Sequence, residues 1–579
     1  MAEEEKEPVV QTKQGRVRGF RVTSFREEEI IAFLGIPYAK PPVGNLRFKA
    51  PQPPESWNGT FEAFEEGSAC PQFKGGKILD NEDCLFLNVF TKKLPVTGRE
   101  PEAVMVWIHG GSYTGGSGSG FIYGPDHLLT KDVVVVTINY RLGMLGFLHL
   151  PEAGVGGNNG LKDQTMALRW VQDNIAKFGG DPRRVTIFGE SAGGASVHFH
   201  MLSSMSRGLF HRVIAQSGTV LSPWAYANPE FSREIANVQG KHINCNASND
   251  QELLRCFQKT SVEKLVVSIK SNASETTLFT LNSLQKRSLA YQQQATCFQT
   301  ETADASRSSR LDAQFPGHWI GRRGPVVPFY RSSYYMPFRP TLDNGGARDE
   351  EVFLPADPHA MLSAGNFSDV PAIFGSTNGE ANVCVQYVRY LNKTFKEAAM
   401  NELAKVIAPM SSEAQGRAIT RKAWDFYVGN ESFRKESFID MLTDLGFAAG
   451  VVRSLSLQSA SASSPLFQYV FGFEGALNLV KLNLAHNEKG ASHGDDVPYL
   501  FHTALSHSLD DGSEEMITIS RMVRMWTNFA KTGTPSGDMK WQPFTVDSPM
   551  YLYIGKDLIV RRDLLGRRMG FWVDNMWSK

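Results

Sequence analysis

The sequence predicts an α/β fold built on a large, mostly parallel central sheet flanked by helices. Three stretches carry that expectation. Val133-Val-Val-Val-Thr-Ile-Asn139 is an unbroken, mostly β-branched run, the mark of a strand covered on both faces. Asp163 to Lys177 places Met166, Leu168, Trp170, Val171 and Ile175 at partly helical spacing and ends before Phe178-Gly-Gly180. Val185 to Phe188 returns to β-rich residues, and strand, helix, strand in that order builds a parallel sheet.

The other elements follow in chain order. Pro8 to Phe20 alternates apolar and polar residues around a glycine, a hairpin pattern. Phe33 to Phe48 is rich in Pro and Gly and reads as a loop. Leu85 to Phe90 and Ala103 to Ile108 read as strands, with Pro371–Gly375 and Phe467–Phe471 as later strands of the same sheet. Met400–Ala423 and Met516–Lys531 are the clearest amphipathic helices. Residues 285–335, rich in Gln, Ser and Arg, read as a mobile insertion in a single domain spanning residues 1–579.

Composition narrows the function classes. Sixty basic residues balance sixty acidic ones, which favours neither a nucleic-acid partner nor a strongly charged membrane surface. No apolar run approaches the roughly 18 residues of a membrane span. Met1-Ala-Glu-Glu-Glu-Lys-Glu-Pro8 is acidic, unlike a signal peptide. Sequons begin at Asn58, Asn246, Asn272, Asn366, Asn392 and Asn430, and the pairs Cys70/Cys84 and Cys245/Cys256 are spaced to close short loops. These features point outward and the missing signal points inward. The location is secreted if a leader has been removed and cytoplasmic otherwise. Six cysteines with no C-x-x-C pair argue against structural zinc.

Chemistry concentrates at Gly189-Glu-Ser-Ala-Gly193, a G-x-S-x-G turn between the strand Val185–Phe188 and a helix-compatible segment, Gly194 to Leu202. This is the setting of a nucleophile elbow, in which a sharp turn lifts the Ser191 hydroxyl above the sheet. A serine nucleophile needs a base, an acid to orient the base, and donors for the tetrahedral oxyanion. Ala103 to Ile108 leads into His109-Gly-Gly-Ser-Tyr-Thr-Gly-Gly116. The N–H groups of Gly111 and Ser112, with that of Ala192, are the candidate donors. Glycine runs are usually plain turns, but the preceding strand and the His-Gly-Gly order favour the functional reading. Among thirteen histidines, His493 lies in a glycine-flanked loop, Gly490 to Phe501, while His109 reads as a brace and His198, His502 and His507 as packing or surface residues. Glu380 ends Ile373-Phe-Gly-Ser-Thr-Asn-Gly-Glu380 at a strand terminus; Asp495 and Asp496 are rivals for the acid, but they lie so close to His493 in sequence that a capping or loop role suits them better.

Two longer signatures make the chain resemble the type-B carboxylesterase/lipase family, with its α/β-hydrolase fold and its cholinesterases and insect esterases. They are Phe178-Gly-Gly through Ser191 and Glu82-Asp-Cys-Leu-Phe-Leu-Asn-Val-Phe90. The resemblance runs from about Gly15 to Trp572, broken around residues 285–335. It implies Ser191 as nucleophile, Glu380 as acid and His493 as base, with Gly111, Ser112 and Ala192 as oxyanion hole. It also implies Cys70–Cys84 and Cys245–Cys256 bridges, with Cys297 and Cys384 free. Ion pairs Arg47–Glu82 and Arg141–Asp163 are implied likewise. The substrate would be a small-molecule ester, with organophosphates and carbamates as inhibitors, no metal or cofactor, and a monomer or homodimer as the assembly.

Departures from the family pattern sharpen the expectation. The loop between Cys70 and Cys84 holds no tryptophan, so the cation–π site that cholinesterases use for a quaternary ammonium is missing from it. Ser112 stands where the third glycine of the oxyanion run is usual, which leaves the N–H in place. Glu190 stands where juvenile-hormone esterases usually carry Gln. Trp224 matches an acyl-pocket residue and, with Tyr113 and Glu190, is expected to line a mostly apolar pocket. The expected activity is broad-specificity carboxylesterase chemistry, extending to detoxification of xenobiotic or insecticide esters. Hormone- or pheromone-ester hydrolysis is the alternative, and a non-catalytic adhesion module the rival from another class.

Overall fold

The computed structural model describes residues 7–74, 77–79, 81–271, 337–343, 352–384, 413–429, 434–478, 489–503, 509–535 and 540–577, with isolated residues 400, 403, 404, 407, 506 and 537. The insertion expected at 285–335 lies outside the described residues, as do Cys297 and His507.

A mixed sheet of 11 strands carries the fold. Its parallel centre runs Met550–Ile554, Leu466–Phe471, Ala372–Thr377, Arg212–Gln216, Gly180–Glu190, Glu102–Ile108 and Val133–Ile138. Antiparallel strands close both ends: Leu558–Arg562 on one side, and Phe86–Thr91, Glu29–Pro37 and Phe20–Thr23 on the other. The β-branched run Val133–Ile138 is buried throughout. Val134, Val136 and Ile138 enter one apolar cluster, whereas Val133 and Val135 enter another. The period-2 alternation of a strand therefore feeds two cores, one on each face of the sheet. Val104, Val106 and Ile108 alternate with Ala103, Met105 and Trp107 in the same way. Each fully buried Val or Ile contributes roughly 1.5–3 kcal/mol, which makes the centre of the sheet a rigid platform.

The hairpin forms between Val9–Gln11 and Arg16–Arg18. The helix expected over Asp163–Lys177 spans Asn159–Asn174 and continues as a short 3-10 turn, Ile175–Phe178. The last helix expected forms over Glu514–Thr532, and the one expected over Met400–Ala423 is described as Glu413–Tyr427. One expectation fails. Phe33–Pro37, read as loop, is the second half of the nine-residue strand Glu29–Pro37. Its pairing shifts register between Phe33 and Ile36. Gly35 sits in that irregularity at φ 65°, with its N–H held by Asn88 Oδ1 at 2.9 Å. A bulge explains how a Gly/Pro-rich stretch still joins a sheet.

Two bridges, Cys70–Cys84 and Cys245–Cys256, are formed. Arg141 and Asp163 make a bidentate pair at 2.8 and 2.7 Å with both side chains buried. Arg47 pairs with Glu82 and also caps the carbonyls of Gln258 and Thr260. No described helix is long and apolar enough to cross a membrane.

Candidate active site

The parallel strands deliver the candidate residues from their C-terminal ends, where open α/β sheets place their ligand sites. Gly180–Glu190 runs parallel to Glu102–Ile108 on one side and Arg212–Gln216 on the other. It ends at Ser191, whose φ of 59° and ψ of −123° are strained for a side-chain-bearing residue. Ala192–Leu202 begins immediately as a helix. Sterics explain the two flanking glycines. A Cβ on Gly189 would stand 2.5 Å from the Ile108 carbonyl oxygen, and one on Gly193 only 2.0 Å from the same atom. The Ser191 N–H is fixed to the Gln216 carbonyl at 2.8 Å.

After Ile108 the chain turns through Gly111, Ser112 and Tyr113, all at positive φ (108°, 59° and 57°). Thr114 and Gly115 N–H both donate to the Gly111 carbonyl. Among the described residues, neither the Gly111 nor the Ser112 N–H is used by the fold. His109 braces this loop. Its ring stacks on Tyr140 at 4.4 Å, and the Tyr140 hydroxyl donates to its carbonyl at 2.9 Å. Burial pushes His109 down to about 4, so the brace is neutral.

His493 Nε2 lies 2.8 Å from Ser191 Oγ, and its Nδ1 lies 2.6 Å from Glu380 Oε2. The network assigns the proton of the neutral ring to Nδ1, leaving Nε2 to accept from Ser191. Glu380 is held in turn: its Oε1 accepts from the Ser217 hydroxyl at 2.6 Å and the Thr377 N–H at 2.7 Å. Asp495 and Asp496 take structural posts instead. Asp495 accepts from the Ser492 N–H and Asn478; Asp496 accepts from Gln216 and the Tyr469 hydroxyl.

Glu190 Oε1 is 3.1 Å from His493 Nε2 and makes no hydrogen bond there. Burial opposes the imidazolium, but the carboxylates of Glu190, Glu380 and Asp496 outweigh it and raise His493 to about 9. Burial pushes Glu190 up as well, against the pull of the neighbouring His493 charge. Nε2 thus faces both the serine and a carboxylate that favours its protonated form.

Trp224 and Phe447 pack beside this trio. Trp224 is buried, its Nε1 donates to the Gly446 carbonyl at 2.8 Å, and its ring reaches Gly218 next to Ser191. Phe447 packs on the His493 ring at 4.6 Å. Tyr113 is fully buried against Phe147, with its hydroxyl toward Ser196. Sequence reasoning missed Ser217 and Phe447. For Ser217 the available signal was a small hydroxyl directly after a buried strand; Phe447 carried none. No three His, Cys, Asp or Glu side chains among the described residues are grouped to hold a metal ion.

The profile of the carboxylesterase family matches residues 6–572. The chain belongs to the carboxylesterase family. This esterase, a carboxylic ester hydrolase with the α/β-hydrolase fold, is 31% identical to the juvenile hormone esterase of Tribolium castaneum over 94% of its own length and 87% of that relative's. It is 32% identical to esterase E4 of Myzus persicae, covering 95% and 89% of the two chains. It is also 30% identical to the acetylcholinesterase of Bungarus fasciatus, covering 97% and 85%. The esterase keeps Glu380 rather than Asp as the carboxylate behind its histidine.

Proposed function

We propose that the esterase works as a serine carboxylesterase with Ser191 as nucleophile, His493 as general base and acid, and Glu380 as the carboxylate that orients it. The observation that carries this reading is the chain of contacts Ser191 Oγ to His493 Nε2 at 2.8 Å and His493 Nδ1 to Glu380 at 2.6 Å. Ser191 Oγ attacks the ester carbonyl carbon while its proton passes to His493 Nε2. The carbonyl oxygen takes the negative charge and is met by the N–H groups of Gly111, Ser112 and Ala192. Each such donor typically stabilises the transition state by about 2.7–4 kcal/mol. Collapse of the intermediate expels the alcohol, which takes the proton from Nε2. Water then repeats the sequence on the acyl-enzyme and frees Ser191.

Substrates of this proposal are simple carboxylic esters whose apolar parts pack against Trp224 and Phe447. Organophosphates and carbamates act by phosphylating or carbamylating Ser191. A hormone ester, of the kind named by the Tribolium relative, is the second reading; Glu190 is the residue that weighs against it. Hydrolysis of p-nitrophenyl esters by wild type and Ser191→Ala tests the first claim. Equal rates in the two would overturn it. Rates across a series of acyl lengths and alcohol sizes, with juvenile hormone included, decide between the substrate readings.

A further inference from the structure

Behind the candidate oxyanion donors the main chain is stacked in layers. The Gly111 carbonyl accepts the N–H groups of Thr114 and Gly115, both at 3.0 Å, so the loop folds back on itself. Gly115 and Gly116 then lie against the stretch Gly110–Gly111. A Cβ on Gly111 would stand 2.1 Å from the Gly115 carbonyl oxygen. One on Gly116, at φ 114°, would stand 2.6 Å from the Gly110 carbonyl oxygen and 2.2 Å from His109 Nδ1. The same Gly110 carbonyl accepts from His109 Nδ1 at 2.7 Å. The Gly110 carbonyl and the Gly111 N–H belong to one planar peptide, so whatever fixes the carbonyl also aims the N–H.

Gly116 is itself gripped from outside the loop. The Gln72 side chain is buried, and its amide meets Gly116 twice. Oε1 accepts the Gly116 N–H at 2.9 Å, and Nε2 donates to the Gly116 carbonyl at 2.7 Å. A side-chain amide carries the same kinds of donor and acceptor as a peptide, so Gln72 pairs with Gly116 as an adjoining strand would. Nε2 also donates to the Cys70 carbonyl at 3.0 Å, which fills both of its donor positions. Cys70 is half of the Cys70–Cys84 bridge, and Gln72 opens the two-stranded ribbon of Gln72–Lys74 and Lys77–Leu79 inside that loop. Two residues further on, the glycine run is tied to the sheet. The Gly118 N–H donates to Asn139 Oδ1 at 2.8 Å, and its carbonyl accepts from Asn88 Nδ2 at 3.1 Å. Gln72 thus joins the disulfide loop to the oxyanion loop.

We propose that Gln72 is a positioning residue for the oxyanion hole. Its paired hydrogen bonds hold Gly116 against the Gly110–Gly111 peptide and keep the Gly111 N–H aimed at the oxygen of the reacting ester. The proposal rests on the reading of Ser191, Gly111, Ser112 and Ala192 given above. Gln72 acts on the main chain of the loop and not on the ester. Without the pair, Gly116 shifts off the peptide and the Gly111 N–H tilts away from the place where charge gathers. The loss falls on the transition state and spares ester binding, because the oxygen gains its charge only during attack.

The test compares p-nitrophenyl acetate with its thiono analogue, in which sulfur replaces the carbonyl oxygen. Sulfur is a weak hydrogen-bond acceptor, so the thiono ester draws less from the oxyanion donors while using Ser191 and His493 in the same way. Rates are taken as kcat/KM per active site, titrated with a phosphylating inhibitor. Gln72→Met keeps the length of the side chain and loses both hydrogen bonds to Gly116. It is expected to slow the oxygen ester about tenfold, a fraction of the roughly 10²–10³-fold lost with a whole donor, and the thiono ester by about twofold at most. The oxygen-over-sulfur ratio therefore falls about fivefold, with KM for the oxygen ester little changed. Lys77→Gln, exposed on the same ribbon, leaves the ratio unchanged. If Gln72→Met does not fold, Gln72→Glu keeps an acceptor for the Gly116 N–H, loses the donor, and is expected to shift the ratio in the same direction. Equal losses on the two esters, or an unchanged ratio, overturn the proposal, because a merely stabilising role slows both together. Activity retained by Ser191→Ala would instead overturn the reading of the site on which it rests.

Discussion

On one side of Ser191 the oxyanion loop is held by backbone packed on backbone; on the other, His493 is held by side chains that come from widely separated stretches of chain. The first side is built from glycines and main chain. Gly193 clears the Ile108 carbonyl, Gly111 turns at φ 108°, and the Ser191 N–H is fixed to Gln216. The second side needs Glu380, Ser217, Asp496, Glu190 and Phe447 at once. Backbone sterics tolerate no gradual adjustment, whereas a set of side-chain contacts is open to tuning one member at a time. The contrast places the fixed part of the chemistry at the oxyanion side and the adjustable part around the base.

The largest expected effect tests whether the two sides act as one unit. Ser191→Ala and His493→Ala are each expected to lower kcat by about 10⁶, and the double variant by no more than either. Multiplying losses in a steady-state assay would show that the two residues do not work together. Next comes the backbone side alone. Gly193→Ala places a methyl group against the Ile108 carbonyl and displaces the Ala192 N–H, so kcat is expected to fall about 10²–10³-fold. Phosphylation by an organophosphate should slow in parallel, and wild-type kinetics in this variant would remove the steric account of the elbow.

Smaller effects probe the base side. Ser217→Ala takes one donor from the Glu380 carboxylate, a charge-assisted bond worth about 1.5–3 kcal/mol, and is expected to cost roughly tenfold in kcat with KM little changed. Glu190→Gln is expected to act mainly on pH dependence. Glu190 stabilises the imidazolium, so replacing its carboxylate lowers the pKa of His493. The free base then survives to lower pH, and the acid limb of kcat/KM moves down by about one to two pH units. An acid limb that stays in place would show that Glu190 does not stabilise the imidazolium during turnover. The stability of the folded chain follows the same sign. The native state holds its His493 proton to about 9, so this group's stabilising contribution is full below the unfolded value near 6.5. It is lost as pH rises toward 9, and less is lost in the Gln variant.

Much of this site was legible because elbows and glycine loops are local. Gly189-Glu-Ser-Ala-Gly193 and His109-Gly-Gly-Ser112 each encode their own backbone path, and each follows a strand readable as a buried apolar run. Glu380 and His493 were legible as a strand end and a glycine-flanked loop, and Asp495 and Asp496 stood so close to His493 in sequence that a capping or loop role suited them better. Distance decides it: Glu380 reaches Nδ1, while the two aspartates satisfy Ser492, Asn478, Gln216 and Tyr469. The strand Glu29–Pro37 was missed because a bulge at Gly35 disguises strand as loop.

By itself, then, the chain determined an α/β sheet buried on both faces, a serine on a strained turn and a loop of N–H groups beside it, because alternation, β-branched runs and glycine sterics act over short spans. Only the tertiary structure decided that the Ser217 hydroxyl holds Glu380 behind His493 and that Glu190 faces the Nε2 of that histidine. Those contacts join residues more than a hundred positions apart. No local periodicity records them, and they exist only once the sheet has brought its strand ends together.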